Sequence, residues 1–135
     1  MKKISVLILG LLILLAGCTA TNELEGNWTT EALEKDGIAQ TIAVSNIEFT
    51  TKGNVVNAGG CAGVNLFNGD VKVSNGKISA GNLAVTKMMG DPEAMEFEDL
   101  FIEVLNNADS YKVENNVLTI TASSKNLKLV LRKDK

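Results

Sequence analysis

The chain has 135 residues, with 13 basic and 16 acidic side chains, no histidine and a formal net charge of −3. That length fits one small domain. An acidic balance without a basic cluster speaks against nucleic-acid binding, and the absence of histidine removes the commonest general base and the commonest metal ligand.

The chain opens with Lys2-Lys3, an apolar run from Ile4 to Leu15, and Leu15-Ala16-Gly17-Cys18. A basic stretch, a short apolar stretch and small residues in that order read as a secretory signal. The run is too short to span a bilayer comfortably. A cysteine directly after Leu-Ala-Gly resembles the lipobox of prokaryotic lipoproteins, in which cleavage leaves the cysteine first and lipidated. An ordinary signal peptide with a chance cysteine, or an uncleaved anchor, is the alternative. The expected organisation is a signal peptide over 1–17, a lipidated tether over 18–23 and one domain over 24–133. Two or more acyl chains on Cys18, worth about 0.8 kcal/mol per buried methylene, would hold the domain at a membrane. Loss of Lys2 and Lys3 leaves the mature part near −5, so charge would not draw it to anionic lipid. The expected location is the cell envelope, lipid-anchored. Thr19, where aspartate would often mark inner-membrane retention, points to the outer membrane if the organism has two.

Beyond the tether, Gly, Asn and Ser punctuate short apolar stretches. Leu24–Leu33 reads as a strand around Trp28. Ile47–Thr50 and Val55–Ala58 form a pair around Lys52-Gly53-Asn54. Asp70–Val73 and Lys77–Ala80 form another around Asn75-Gly76, a strong hairpin signal because both turn positions tolerate positive φ. Leu83–Met88 reads as a further strand. Asp91 as cap and Pro92 at the first helical position open a helix that runs to Asn107. Phe97, Leu100, Phe101, Val104 and Leu105 fall on one face of it, and Glu96, Asp99 and Glu103 on the other. Ser110–Val113, Val117–Thr121 and Leu127–Arg132 close the chain as a meander. Leu127, Leu129 and Leu131 alternate there with Lys128, Val130 and Arg132, the period of a sheet buried on one face.

The ordered landmarks are Gly26-Asn27-Trp28, Phe49, Gly60-Cys61, Asn65-Leu66-Phe67-Asn68-Gly69, Thr86-Lys87-Met88-Met89, Met95-Glu96-Phe97-Glu98, Phe101 with Leu105, Tyr111 and Leu118-Thr119-Ile120. This series resembles the META domain, or HslJ-like, family over roughly Leu24 to Arg132. The resemblance implies an α+β fold, mainly antiparallel β, as a small barrel-like or strongly curved sheet with one amphipathic helix packed on it. It implies no particular reaction, because fold analogy does not supply one. Many members are envelope lipoproteins, in agreement with Cys18. Two departures stand out. Cys61 is followed by Ala62-Gly63-Val64 before Asn65, where the family commonly has Gly-Cys-Asn. Gly90 stands near the place where many members carry a second cysteine. With Cys18 acylated, Cys61 has no partner in the mature chain and is expected to be a free, buried thiol.

Trp28, Phe49, Cys61, Phe97, Phe101 and Leu105 are the expected core anchors. Gly59–Gly63 lacks the Lys and Ser/Thr of a phosphate loop and is expected to mark a sharp turn, a bulge or a close approach of chains. Glu98 borders the apolar arc of the helix, and a half-buried carboxylate needs a partner. Lys87 or the backbone of Gly60–Asn65 are the candidates, so Glu98, Lys87 and Asn65 form the expected polar site, structural or binding. No catalytic residue, metal or cofactor is assigned. Three functional readings follow. The first is a non-enzymatic envelope lipoprotein that supports envelope integrity or stress tolerance through contacts with an envelope protein or a small ligand. The second is a lipid-tethered carrier or chaperone for an apolar ligand, its slot lined by Val71, Ile78, Leu83 and Leu118. The third and weakest is a hydrolase that uses carboxylates.

Overall fold

Alternating side chains make strands wherever one face is buried, and the computed structural model, which describes residues 23–135, shows ten of them. They are β1 (Gly26–Lys35), β2 (Ile38–Ala39), β3 (Asn46–Lys52), β4 (Val55–Cys61), β5 (Leu66–Ser74), β6 (Lys77–Ala80), β7 (Ala84–Val85), β8 (Ser110–Glu114), β9 (Val117–Ala122) and β10 (Leu127–Lys133). One helix, α1 (Pro92–Asn107), joins β7 to β8, and a single 3-10 turn (Ser123–Lys125) joins β9 to β10. The hydrogen-bonded order β1-β3-β4-β5-β6-β8-β9-β10 returns to β1 through the β10–β1 pairing. All neighbours are antiparallel, so eight strands close into a barrel, with β2 added on β1 and β7 on β5. Closure leaves the barrel strands without a free edge. The β6–β8 seam is thin, with one ladder pair, Lys77↔Ser110.

Hairpin turns with positive φ at both central residues match the twist of their strands. Asn75-Gly76 is such a turn, as the sequence predicts, and Asp36-Gly37 and Asn115-Asn116 are two more. The Asp-Gly signal escapes a reading that looks for alternation on both sides, because β2 is only two exposed residues long.

The barrel interior is filled by period-two residues. Leu127, Leu129 and Leu131 of β10, Leu118 and Ile120 of β9, Trp28 and Leu33 of β1 and Phe49 of β3 are all buried. A register shift between Thr30 and Ala32 lets β1 bend between its two partners. The helix lies over the barrel end where β3 begins and β4 ends. Its first turns sit against Gly63, whose Cβ, if present, would fall 3.3 Å from the Ala94 carbonyl oxygen. Its last turn reaches the 3-10 turn, where Lys125 pairs with Glu103 at 3.8 Å. Phe97, Phe101, Val104 and Leu105 point inward. The Phe101 ring stands 5.5 Å from that of Phe67 and 5.7 Å from that of Phe97.

Four expectations are corrected. The first strand begins two residues later than predicted and runs to Lys35. Leu24 is buried ahead of it and its carbonyl accepts the Trp28 indole N–H at 2.7 Å. The predicted Leu83–Met88 strand shrinks to Ala84–Val85, because the backbone of Met88 bonds the Asn65 side chain in place of a ladder. Gly59, Gly60 and Cys61 continue β4, so of the readings offered for Gly59–Gly63 the turn gives way to the close approach. The glycine at position 60 answers a close approach: a Cβ there would lie 2.3 Å from the Asn46 carbonyl oxygen, at φ +153°. Cys61 is half-buried, not buried in the core. Val56 and Ala58 take the inward positions of β4, so Cys61 falls on the outward alternation.

Candidate functional site

The helix brings one carboxylate inside. Asp91 precedes α1 and Pro92 opens it, but the Asp91 side chain makes no capping bond; its backbone carbonyl accepts the Met95 N–H instead. One turn on, Glu98 falls on the buried side and is 5 % exposed.

Its acceptors are occupied by the β4–β5 loop. The N–H groups of Val64 and Asn65 donate to Oε1 at 3.1 and 2.5 Å, and Asn65 Nδ2 donates to Oε2 at 2.7 Å. Asn65, itself buried, is then held on its other side. Nδ2 also donates to the Met88 carbonyl at 3.1 Å, while Oδ1 accepts from Met88 N–H at 2.5 Å and from Thr86 Oγ1 at 2.9 Å. Thr86 Oγ1 in turn accepts the Leu66 N–H at 3.0 Å. One carboxylate and one amide therefore tie together the helix, the β4–β5 loop and the strand–helix connection. Burial pushes the Glu98 carboxyl up. The hydrogen bonds from the Asn65 side chain, Asn65 N–H and Val64 N–H outweigh it and hold the group below the ordinary carboxylate range. A carboxylate held by three hydrogen bonds from the chain itself, two on Oε1 and one on Oε2, is ionised and committed to structure.

Of the three expected polar-site residues, the structure brings together Glu98 and Asn65. Lys87 is exposed and supplies none of the hydrogen bonds to Glu98. Thr86 and the Met88 backbone complete the network. Thr86 stands in the Thr-Lys-Met-Met element, where β-strand periodicity hides its role as a bridging hydroxyl. A second polar knot, unforeseen in sequence, lies on β1, β3 and the C-terminus. Asn46 Nδ2 donates to Asn27 Oδ1, Asn46 Oδ1 accepts the Cys61 N–H, and Asn27 bonds Asp134. Asparagines near strand ends carry too many turn readings for spacing to single these out.

The aromatic and apolar anchors Trp28, Phe49, Phe97, Phe101 and Leu105 are buried. Lys133 Nζ lies 5.6 Å from the Trp28 ring centroid. Cys18 lies outside the described residues. Among the described residues, no group of three or more His, Cys, Asp or Glu could hold a metal ion, and no helix is long and apolar enough to cross a membrane. The slot foreseen for an apolar ligand, where Val71, Ile78, Leu83 and Leu105 meet Phe49, encloses a cavity of about 10 Å³. That is at or below the room needed for one water, roughly 10–15 Å³. Leu118, the fourth residue foreseen for the slot, is fully buried and does not line this cavity.

Residues 20–135 match the META domain family. The chain is similar to heat shock protein HslJ of Escherichia coli K12, with 25 % identity over 136 residues that cover 94 % of each chain. Two solved structures share the fold. An NMR structure of a Burkholderia xenovorans protein gives a TM-score of 0.72 at 21 % identity, covering 85 % of this chain and 86 % of that one. A crystal structure of a DUF4847-family protein from Bacteroides vulgatus gives 0.57 at 16 % identity, covering 83 % and 94 %.

Proposed function

This chain belongs to the META domain family, and we propose from that premise that it is a non-enzymatic envelope lipoprotein that acts by protein contact in envelope maintenance or stress tolerance. The carrying observation is the filled interior. The barrel leaves about 10 Å³ where an acyl chain would have to lie, and the one buried carboxylate among the described residues, Glu98, is engaged by three N–H groups of the chain itself. A filled interior argues against the carrier, and an engaged carboxylate argues against a hydrolase. What is left for function is the surface. The Leu15–Cys18 pattern supports the anchor, and the heat-shock name of the Escherichia coli relative supports a stress-linked role.

The test is metabolic labelling with an alkyne-tagged fatty acid, followed by membrane fractionation and mass spectrometry of the mature N-terminus. The expected species begins at Cys18, carries label, sediments with membranes, and loses both properties on Cys18→Ser. A native chain that begins at Met1 and remains in the aqueous fraction would overturn the anchor. Turnover of a substrate by the purified chain, abolished by neutralising one carboxylate, would overturn the non-enzymatic reading.

A further inference from the structure

We propose that the helix-bearing end of the barrel is a docking face for a basic, amphipathic segment of another protein. This rests on the contact reading above and does not require the lipid anchor.

The outward side of α1 presents Glu93, Glu96 and Asp99, all exposed, and Glu103. Of these, Glu103 alone pairs with a base among the described residues, Lys125 at 3.8 Å. Exposed apolar side chains stand on the two segments that flank the helix. Ile42 and Val44, 39 % and 90 % exposed, follow Gln40 and Thr41 on one; Met88 and Met89, 51 % and 90 % exposed, stand on the other. Their placement follows from the contacts each loop makes. Gln40 and Thr41 meet Glu93 and Glu96 across a groove of about 130 Å³ that also touches Phe97 and Leu100. Met88 is fixed through Asn65, on the Glu98 side of the helix. Lys87 is the sole lysine or arginine in residues 40–45 and 86–107.

Large apolar side chains open to water near a stripe of carboxylates make this end of the barrel a candidate contact surface. The chemistry selects the occupant. Acidic and polar walls around a groove that reaches Phe97 and Leu100 suit a lysine or arginine stem with its cationic head. The methionines supply adaptable apolar contact, while the charges give orientation and association rate. A second copy of this chain would set carboxylates against carboxylates. An anionic lipid surface would meet the same sign.

The experiment places a photo-crosslinking residue at Val44 or at Met89 in the full chain in its native envelope, with exposed Lys72 on β5 as control. The expected result is one protein adduct common to positions 44 and 89 and absent at 72, with Lys or Arg interleaved with apolar residues in the crosslinked peptide. That peptide, synthesised, should bind the purified protein and lose affinity by about tenfold or more on Glu96→Lys with Asp99→Lys, and again on raising salt. Both sites are exposed, so these variants keep the fold. Adducts to lipid, to a second copy or to an acidic segment overturn the proposal. A protein adduct at Lys72 alone overturns this face and leaves the contact function standing. No protein adduct at any of the three positions overturns both.

Discussion

Removing the Glu98 carboxylate should cost more stability than removing any other acid of the domain. In Glu98→Ala the N–H groups of Val64 and Asn65 lose their acceptor inside the protein, while Asn65 Nδ2 keeps the Met88 carbonyl. A buried donor left unpaired costs about 1–3 kcal/mol, and the vacated side-chain volume adds a packing loss. Release from desolvating a carboxylate offsets part of this. The expected net loss is roughly 3–4 kcal/mol, a large share of the 5–15 kcal/mol typical of a domain. At about 4 °C per kcal/mol for this size, Tm should fall by roughly 12–16 °C. Glu98→Gln should lie between, near 1–3 kcal/mol, because its amide keeps one acceptor oxygen and turns an N–H toward Asn65 Nδ2. Urea and thermal unfolding read by the fluorescence of Trp28, the one tryptophan, report both. Exposed Glu96→Ala is the control, expected within about 0.5 kcal/mol of the parent. A Glu98→Ala protein as stable as that control would refute the idea that this network staples the helix to the barrel.

The same carboxylate sets a pH dependence. Its folded pKa lies below the ordinary 4.5, so its contribution is fully present above that value and is lost as pH falls through the lowered one. The stability gap between parent and Glu98→Gln should be constant near neutrality and shrink on acidification; a gap that widens in acid would contradict the sign. Gly60→Ala forces a Cβ to 2.3 Å from the Asn46 carbonyl oxygen at positive φ, and unfolding titration should show a loss of about 3 kcal/mol from overpacking and strain. Cys61, half-buried on the outer face of β4, should label with a maleimide in the native state. Labelling only after denaturation would restore the buried thiol that the sequence suggests. Ile78→Ala should cost about 2–5 kcal/mol and open the interior beside Leu105, so a small apolar probe should stabilise that variant and leave the parent unchanged. Stabilisation of the parent by the same probe would mean that its interior is not filled.

The sharing of the acidic and apolar features at one end of the barrel has a structural origin. The helix must bury Phe97, Phe101, Val104 and Leu105 in the barrel mouth. Its opposite side is therefore held outward whatever it carries. Met88 and Met89 are exposed because Asn65 captures the backbone of the connection and leaves no ladder for those residues to join.

Periodicity placed the centres of β3 to β6 and the closing meander, but it missed the last three residues of β4 and the first four of β5, where Asn68-Gly69 runs as strand and not as a turn. Helix α1 was equally legible, from Pro92 and the spacing of Phe97, Phe101, Val104 and Leu105. The partner of Glu98 was narrowed to two candidates, yet choosing the loop backbone over Lys87 required knowing which way residue 87 faces. A lysine in an apparent strand is inward or outward by register, and register is a long-range property. The same limit hid the surface position of Cys61, the Asn46 knot and the closing of β10 on β1. Each depends on residues tens of positions apart meeting across the barrel, and a period of two says that a face is buried without saying what it is buried against.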